Sequence, residues 1–320
     1  MRALRLVNRQ LRIEDVPRPE AAGEAVARVE YAGICATDVA IVNEGYAGFS
    51  GTLGHEFVGV VEASPDPAWV GRRVVADINI GCGRCADCAA GNARHCAARA
   101  TLGIRGRDGA FAEYVALPVA NLYAVPDGVS PLEAVFAEPL AAACRVLEQV
   151  AAPSGAMIGV LGDGKLGQLI AQAVQAQGAS VTLIGRHARK LEVAARLGIA
   201  VRLADELSAA RRVFDVVVEA TGRESGFAAA LRLARPGGTI VLKSTFQGAW
   251  SLPPGAAVVP EITMVGSRCG DLTKALDLLA RKAVRPVALI DAVYDLADGV
   301  AAFRRATLPG ALKTLLRAGC

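Results

Sequence analysis

Residues 157–185 read "MIGVLGDGKLGQLIAQAVQAQGASVTLIG": an apolar run ending in glycine, a helical pattern, and a second apolar run ending in glycine. Few arrangements accept that order. Unbroken apolar runs suit strands buried on both faces, and two parallel strands need a crossover, usually a helix, between them. "FDVVVEATG" and "TIVLKS" repeat the apolar run downstream, and "ARKLEVAARLG" is a further helical segment. From about Pro131 the chain is therefore expected to fold as α/β, a doubly wound parallel sheet covered by helices on both faces.

The first ~125 residues have another character, short alternating runs cut by Gly and Pro. "RALRLV", "LRIEDV", "EAVARVEYAG", "EFVGVVEA" and "RRVVADI" read as strands of an antiparallel barrel or sandwich. In the last ~50 residues "DLTKALDLLARK" is an amphipathic helix and "LPGALKTLLRAG" a closing strand or helix, a tail expected to pack back on the first domain. At 320 residues both parts can own a core.

Composition removes several partners. The net charge of +4 is spread among acids without a basic run, so nucleic acid is not expected. No apolar leader follows Met1, and the longest uncharged stretch, 166–185, carries four glutamines and a turn, so no membrane span is expected. The expected setting is cytoplasmic, where clustered cysteines bind metal more often than they form disulfides.

Such a cluster is present. "GCGRCADCAAGNARHC" places Cys82, Cys85, Cys88 and Cys96 in the spacing C-x2-C-x2-C-x7-C. The first three fit a ferredoxin iron–sulfur run, but the fourth comes too late and Ala97 follows it where that motif has Pro. Four thiolates on a Gly-rich loop suit tetrahedral Zn²⁺, and a closed shell of four leaves no place for substrate. This lobe is expected to bind a structural metal and to catalyse nothing.

The nucleotide motif lies at 162–167. Gly162, Gly164 and Gly167 form G-x-G-x-x-G after a strand, with Lys165 and Leu166 opening the following helix. That context gives a tight turn, close backbone approach to a pyrophosphate and a helix N-terminus facing it. At the end of the next strand an NAD-specific fold places Asp or Glu on the ribose 2′-hydroxyl. Here stand Gly185, Arg186, His187, Arg189 and Lys190, which predicts NADP(H) preferred over NAD(H). The alternative for Arg189 and Lys190 is a solvated helix start.

Two further motifs offer ligands for an open metal site: "YAGICATDVA" with Cys35, Thr37 and Asp38, and "GTLGHEFVG" with His55 and Glu56. Cys35, "GHE", the four-cysteine lobe, "AEPLAAA" and "GDGKLG", in this order over essentially the whole chain, resemble the zinc-dependent medium-chain dehydrogenases. Their relatives include alcohol, sorbitol, threonine and glucose dehydrogenases. The resemblance implies a catalytic zinc on Cys35 and His55, with Glu56 or Glu138 as third protein ligand, hence two zinc ions per chain. It implies hydride transfer between an alcohol or polyol CH–OH, or its aldehyde or ketone, and NAD(P). Thr37 would take the alcohol proton, and Asp38 would orient the His55 ring; its alternative is capping the following helix. The relay histidine of many relatives has no counterpart, because Ala40 stands there.

The same resemblance implies that Thr221, Gly222, Lys243 and Arg268 line the cofactor or the substrate mouth; a surface arginine is the alternative for Arg268. It implies a GroES-like partial β-barrel over 1–130 carrying the lobe 81–96, a Rossmann domain over 131–265, and a segment 266–320 returning to the first domain. A homodimer or homotetramer acting on a small-molecule alcohol or carbonyl substrate is implied as well. The zinc-independent quinone and enoyl reductases share this fold but lack the Cys35, His55 and Glu138 set. A non-catalytic nucleotide- and zinc-binding protein is the other alternative.

Overall fold

The computed structural model describes residues 1–150, 155–245 and 248–319. It divides into two compact units, Met1–Glu138 with Ile290–Cys320, and Pro139–Leu289. The boundaries at 138/139 and 289/290 differ from the expected 130/131 and 265/266. The returning tail is shorter than expected, because the amphipathic helix Leu272–Ala280 packs its buried leucines within the second unit.

In the first unit a seven-stranded sheet runs Leu122–Ala124, Arg73–Ala76, Glu56–Ala63, Ala25–Gly33, Lys313–Arg317, Ile290–Asp295, with Tyr114–Leu117 also paired to Ala25–Gly33. "LPGALKTLLRAG" thus contributes a strand. Two registers matter for the site: Gly33 lies opposite Glu56 on one side and opposite Leu315 on the other. Gly33 has to be glycine, since a Cβ there would lie 2.6 Å from Glu56 Oε2 and 2.9 Å from Lys313 Cε. A strand from the C-terminus therefore brings Lys313 to the carboxylate of the "GHE" motif. Helix Ala36–Glu44 follows directly after the Ala25–Gly33 strand, with Cys35 at its N-cap and Gly45 in the left-handed conformation ending it.

In the second unit six parallel strands, Met157–Leu161, Ser180–Gly185, Ala200–Leu203, Phe214–Glu219, Ala234–Leu242 and Thr263–Gly266, stand in the spatial order third, second, first, fourth, fifth, sixth. This is the doubly wound order whose switch point lies beside the first strand. Every residue of Phe214–Glu219 is buried, as a strand covered on both faces must be. Among the described residues no helix is long and apolar enough to cross a membrane.

Candidate active site

The strand end at Gly33 and the strand start at Glu56 bring Cys35, His55 and Glu56 together. One ligand atom from each lies within 4.8 Å of the others, and His55 and Glu56 are buried. At about 2.0–2.3 Å per ligand, a tetrahedral Zn²⁺ needs donors this close, and thiolate, imidazole and carboxylate are the zinc donor set. The residues fit that ion.

Asp38 organises two of the three. One oxygen, Oδ2, accepts the Cys35 backbone N–H at 2.8 Å, and the other, Oδ1, lies 3.2 Å from His55 Nδ1. The N-cap itself is Cys35; Asp38 sits at the third helical position, with one oxygen on the cap's backbone N–H and the other beside the His55 ring. Burial alone would lower the His55 pKa, but the Asp38 carboxylate, and after it Cys35, hold it well above the ordinary imidazole value. Thr37 Oγ1 lies 3.8 Å from Cys35 Sγ, partly buried beside the ligands.

Two acids compete for the third place. Glu56 belongs to the close group, and its Oε2 is held by Lys313, whose ammonium also lies 5.5 Å from the Phe136 ring centre. Glu138, near the start of helix Ala137–Gln149, stands outside that group. Desolvation pushes its carboxyl up to about 7; Glu56 and Asp77 add to the rise, while His55 and Lys313 oppose it. Lys313 was absent from the sequence reading. Its only local signal is a charge inside the apolar run "ALKTLLRA".

The four-cysteine lobe gathers as its spacing predicts, with one Sγ from each of Cys82, Cys85, Cys88 and Cys96 within 4.8 Å of the rest. Gly81 makes this possible, because a Cβ there would lie 2.6 Å from Cys88 Sγ. Gly83 and Gly91 turn the loop with φ of 74° and 72°. Backbone N–H groups of Arg84 and Cys85 bring the Cys82 thiol down to about 6, so it is ready as a thiolate. Four converging thiols with no carboxylate or imidazole among them fit a closed structural zinc.

In the second unit a cavity of about 290 Å³ is lined by Gly162, Asp163, Gly164, Gly185, Arg186, His187, Lys190, Thr221 and Arg223, among others. Gly162 has φ 119°, and a side chain at Gly167 would collide with Gly162 O, which is the close helix–strand packing the third glycine serves. A glycine-walled cavity at the start of helix Lys165–Ala176 fits a dinucleotide. Lys165, Leu166 and Gly167 open that helix without lining the cavity, and Gly222 is likewise not among its lining residues. Thr221 Oγ1 donates to the buried Glu219 at 2.5 Å.

Two expected residues are placed otherwise. Lys243 is buried, and its ammonium donates to Ala142 O and Arg268 O, each at 2.8 Å, and to Ser267 Oγ at 3.3 Å. A lysine after a strand end reads as facing a cofactor, yet this one ties backbone carbonyls together and lies outside the cavity lining. The Arg268 side chain is exposed, and its backbone carbonyl is what Lys243 uses. Asp163, between two glycines of the loop, carries no expectation from the sequence. It accepts the backbone N–H groups of Arg186 and His187 at 2.7 and 2.8 Å.

Comparison with known proteins agrees with both units. Residues 21–127 match the family described as "Alcohol dehydrogenase GroES-like domain", and residues 166–281 that described as "Zinc-binding dehydrogenase". The chain is 30% identical to "Probable D-xylulose reductase A" of Aspergillus clavatus over 96% of its length and 93% of the relative's. A putative zinc-binding dehydrogenase from Sinorhizobium meliloti, solved bound to NADP, superposes with a TM-score of 0.91 at 29% identity, covering 99% of this chain and 98% of the other. A structure described as a short chain alcohol dehydrogenase from Escherichia coli, complexed with NADH, gives 0.92 at 26% identity, with 99% of both chains covered. With its ligand set, glycine loop, parallel sheet and these likenesses in agreement, the chain belongs to the zinc-dependent medium-chain dehydrogenases, oxidoreductases built of a GroES-like and a Rossmann unit.

Proposed function

We propose that this chain is an NADP(H)-preferring alcohol or polyol dehydrogenase with two zinc ions, one on Cys35, His55 and Glu56 and one in the four-cysteine lobe. The observation that carries the reading is the close group of Cys35, His55 and Glu56, braced by Asp38. When bound there, zinc supplies a Lewis acid that favours the deprotonated alcohol, and the nicotinamide supplies the hydride acceptor.

The chain's own residues do the rest. Asp38 holds the His55 ring and the Cys35 backbone in place, which keeps both ligands aimed at one point. Lys313 neutralises Glu56 on one oxygen and leaves the other to act as a ligand. Glu138, kept protonated to about pH 7, stands ready to hold a hydrogen bond to water or substrate oxygen. Thr37 takes the alcohol proton and hands it to solvent, since Ala40 offers no imidazole for a relay.

The absence of an acid from the end of the Ser180–Gly185 strand, with Arg186, His187 and Lys190 lining the cavity, supports NADP(H). A carboxylate among the ligands and the relatives named for D-xylulose support a polyhydroxy substrate. All seven described cysteines are free thiols, which suits a reducing, cytoplasmic setting, and the family resemblance adds a homodimer or homotetramer. A screen of alcohols and polyols with NADP⁺ and NAD⁺, followed by nicotinamide absorbance, tests the reading. Polyol oxidation with a higher kcat/KM for NADP⁺ is expected; no turnover in zinc-loaded protein, or a clear preference for NAD⁺, contradicts it.

A further inference from the structure

We propose that Asp163 is a specificity-determining residue for the dinucleotide, because its carboxylate, turned inward, occupies the place where a ribose-binding acid would stand. The inference deepens the NADP(H) reading and takes its direction from it, although the geometry stands by itself. In a doubly wound sheet the acid at the end of the second strand accepts from the ribose hydroxyls. Here that strand ends at Gly185, and no acid follows before Glu192.

An acid reaches the same spot from the glycine loop. Asp163 Oδ2 accepts the Arg186 N–H at 2.7 Å and the His187 N–H at 2.8 Å, and His187 Nδ1 lies 2.9 Å from Oδ2 and 3.2 Å from Oδ1. A carboxylate oxygen has two lone pairs, so protein donors saturate Oδ2. At 7% exposure Asp163 offers a ribose little, and what it does instead is lock the turn. The locked turn leaves Arg186 and His187 outermost, beside Lys190 and Arg223 on the same cavity wall. That surface suits a 2′-phosphate.

Gly185 and Asp163 are also mutually exclusive as acid sites. A Cβ on Gly185 would lie 2.5 Å from Asp163 Oδ2 and 2.7 Å from its Cγ. The chain can keep an acid on the loop or on the strand end, but not on both.

The test is fluorescence titration of NADPH and NADH with Gly185→Asp, Asp163→Gly, the double variant and Asp163→Asn, which needs no turnover. Gly185→Asp alone should weaken both cofactors at least about tenfold, or fail to fold, since a buried clash and a second carboxylate meet there. Adding Asp163→Gly should restore folding and bring NADH within about threefold of wild type, with NADPH still weakened about tenfold or more. The nearly isosteric Asp163→Asn should fold and lower the NADPH-over-NADH preference at least about threefold by loosening the turn. The proposal is overturned if Gly185→Asp by itself gives a sound NADH binder, if the second substitution rescues nothing, or if Asp163→Asn leaves the preference unchanged or raises it. Wild-type protein that binds NADH more tightly than NADPH would refute the NADP(H) reading alone, and the double variant would still decide the coupling of 163 and 185.

Discussion

Lys313 and Glu56, 257 residues apart in the chain, form an ion pair in which each side chain is 1% exposed. The pairing of the C-terminal strand with Ala25–Gly33, and the missing side chain at Gly33, create the space for it. Removing one partner of such a pair strands the other charge. Lys313→Met should therefore destabilise zinc-free protein by about 3–5 kcal/mol in urea denaturation, and adding Glu56→Gln should recover most of that loss. Equal stability of wild type and Lys313→Met would show that the pair contributes nothing.

Asp38 predicts a loss of metal without a loss of fold. Asp38→Asn keeps the shape but weakens the hold on His55 Nδ1 and the Cys35 N–H. Partners behind a ligand typically matter by about 10–100-fold in metal affinity, so a chelator competition should show a drop of that size at one of the two zinc sites. The four-cysteine site should keep its ion. Unchanged affinity at both sites would remove Asp38 from the account.

The open site should also release protons when it is filled. Asp38 keeps the His55 imidazole well above its ordinary value despite burial, so this ligand has to give up a proton before it can hold a metal. A metal takes neutral imidazole, so its affinity has to rise with pH through and above the ordinary imidazole range. Calorimetry on protein already holding the four-cysteine ion, in two buffers of different ionisation enthalpy, should show net proton release. Binding equally tight at about pH 6 and about pH 8 would contradict the raised His55 value.

The lobe makes the opposite prediction. Cys96 is buried and its thiol lies within reach of three other cysteine thiols, so on the proposed two-zinc reading Cys96→Ser should cut the metal content from about two to about one per chain. Thermal stability should fall, while freshly prepared folded protein keeps its open-site metal. Loss of both ions together would mean that the two sites are not independent.

Much of this was legible because it is local. The glycine loop, the four-cysteine run and the "GHE" motif each keep their chemistry within a few residues, and periodicity marked the buried parallel strands. Contacts made over long sequence distance were not legible. Lys313 finds Glu56 through strand pairing, and nothing beside it in the chain names its partner. Helix Leu272–Ala280 shows an amphipathic face but not which unit that face packs on, which is why the boundary expected at 265 lies at 289. Lys243 and Asp163, whose polar atoms turn to backbone groups, show the same limit. A polar residue beside a ligand loop reads the same whether it faces the cavity or the backbone behind it.

The central claim is that Cys35 and His55 hold the ion at which the alcohol reacts. It is tested most directly by kcat/KM for NADP⁺-linked polyol oxidation in Cys35→Ser, with zinc content measured on the same sample. The account predicts about one zinc per chain, retained by the lobe, and activity lower by at least about 10³-fold. Near-wild-type turnover, or two zinc ions still bound, would contradict it.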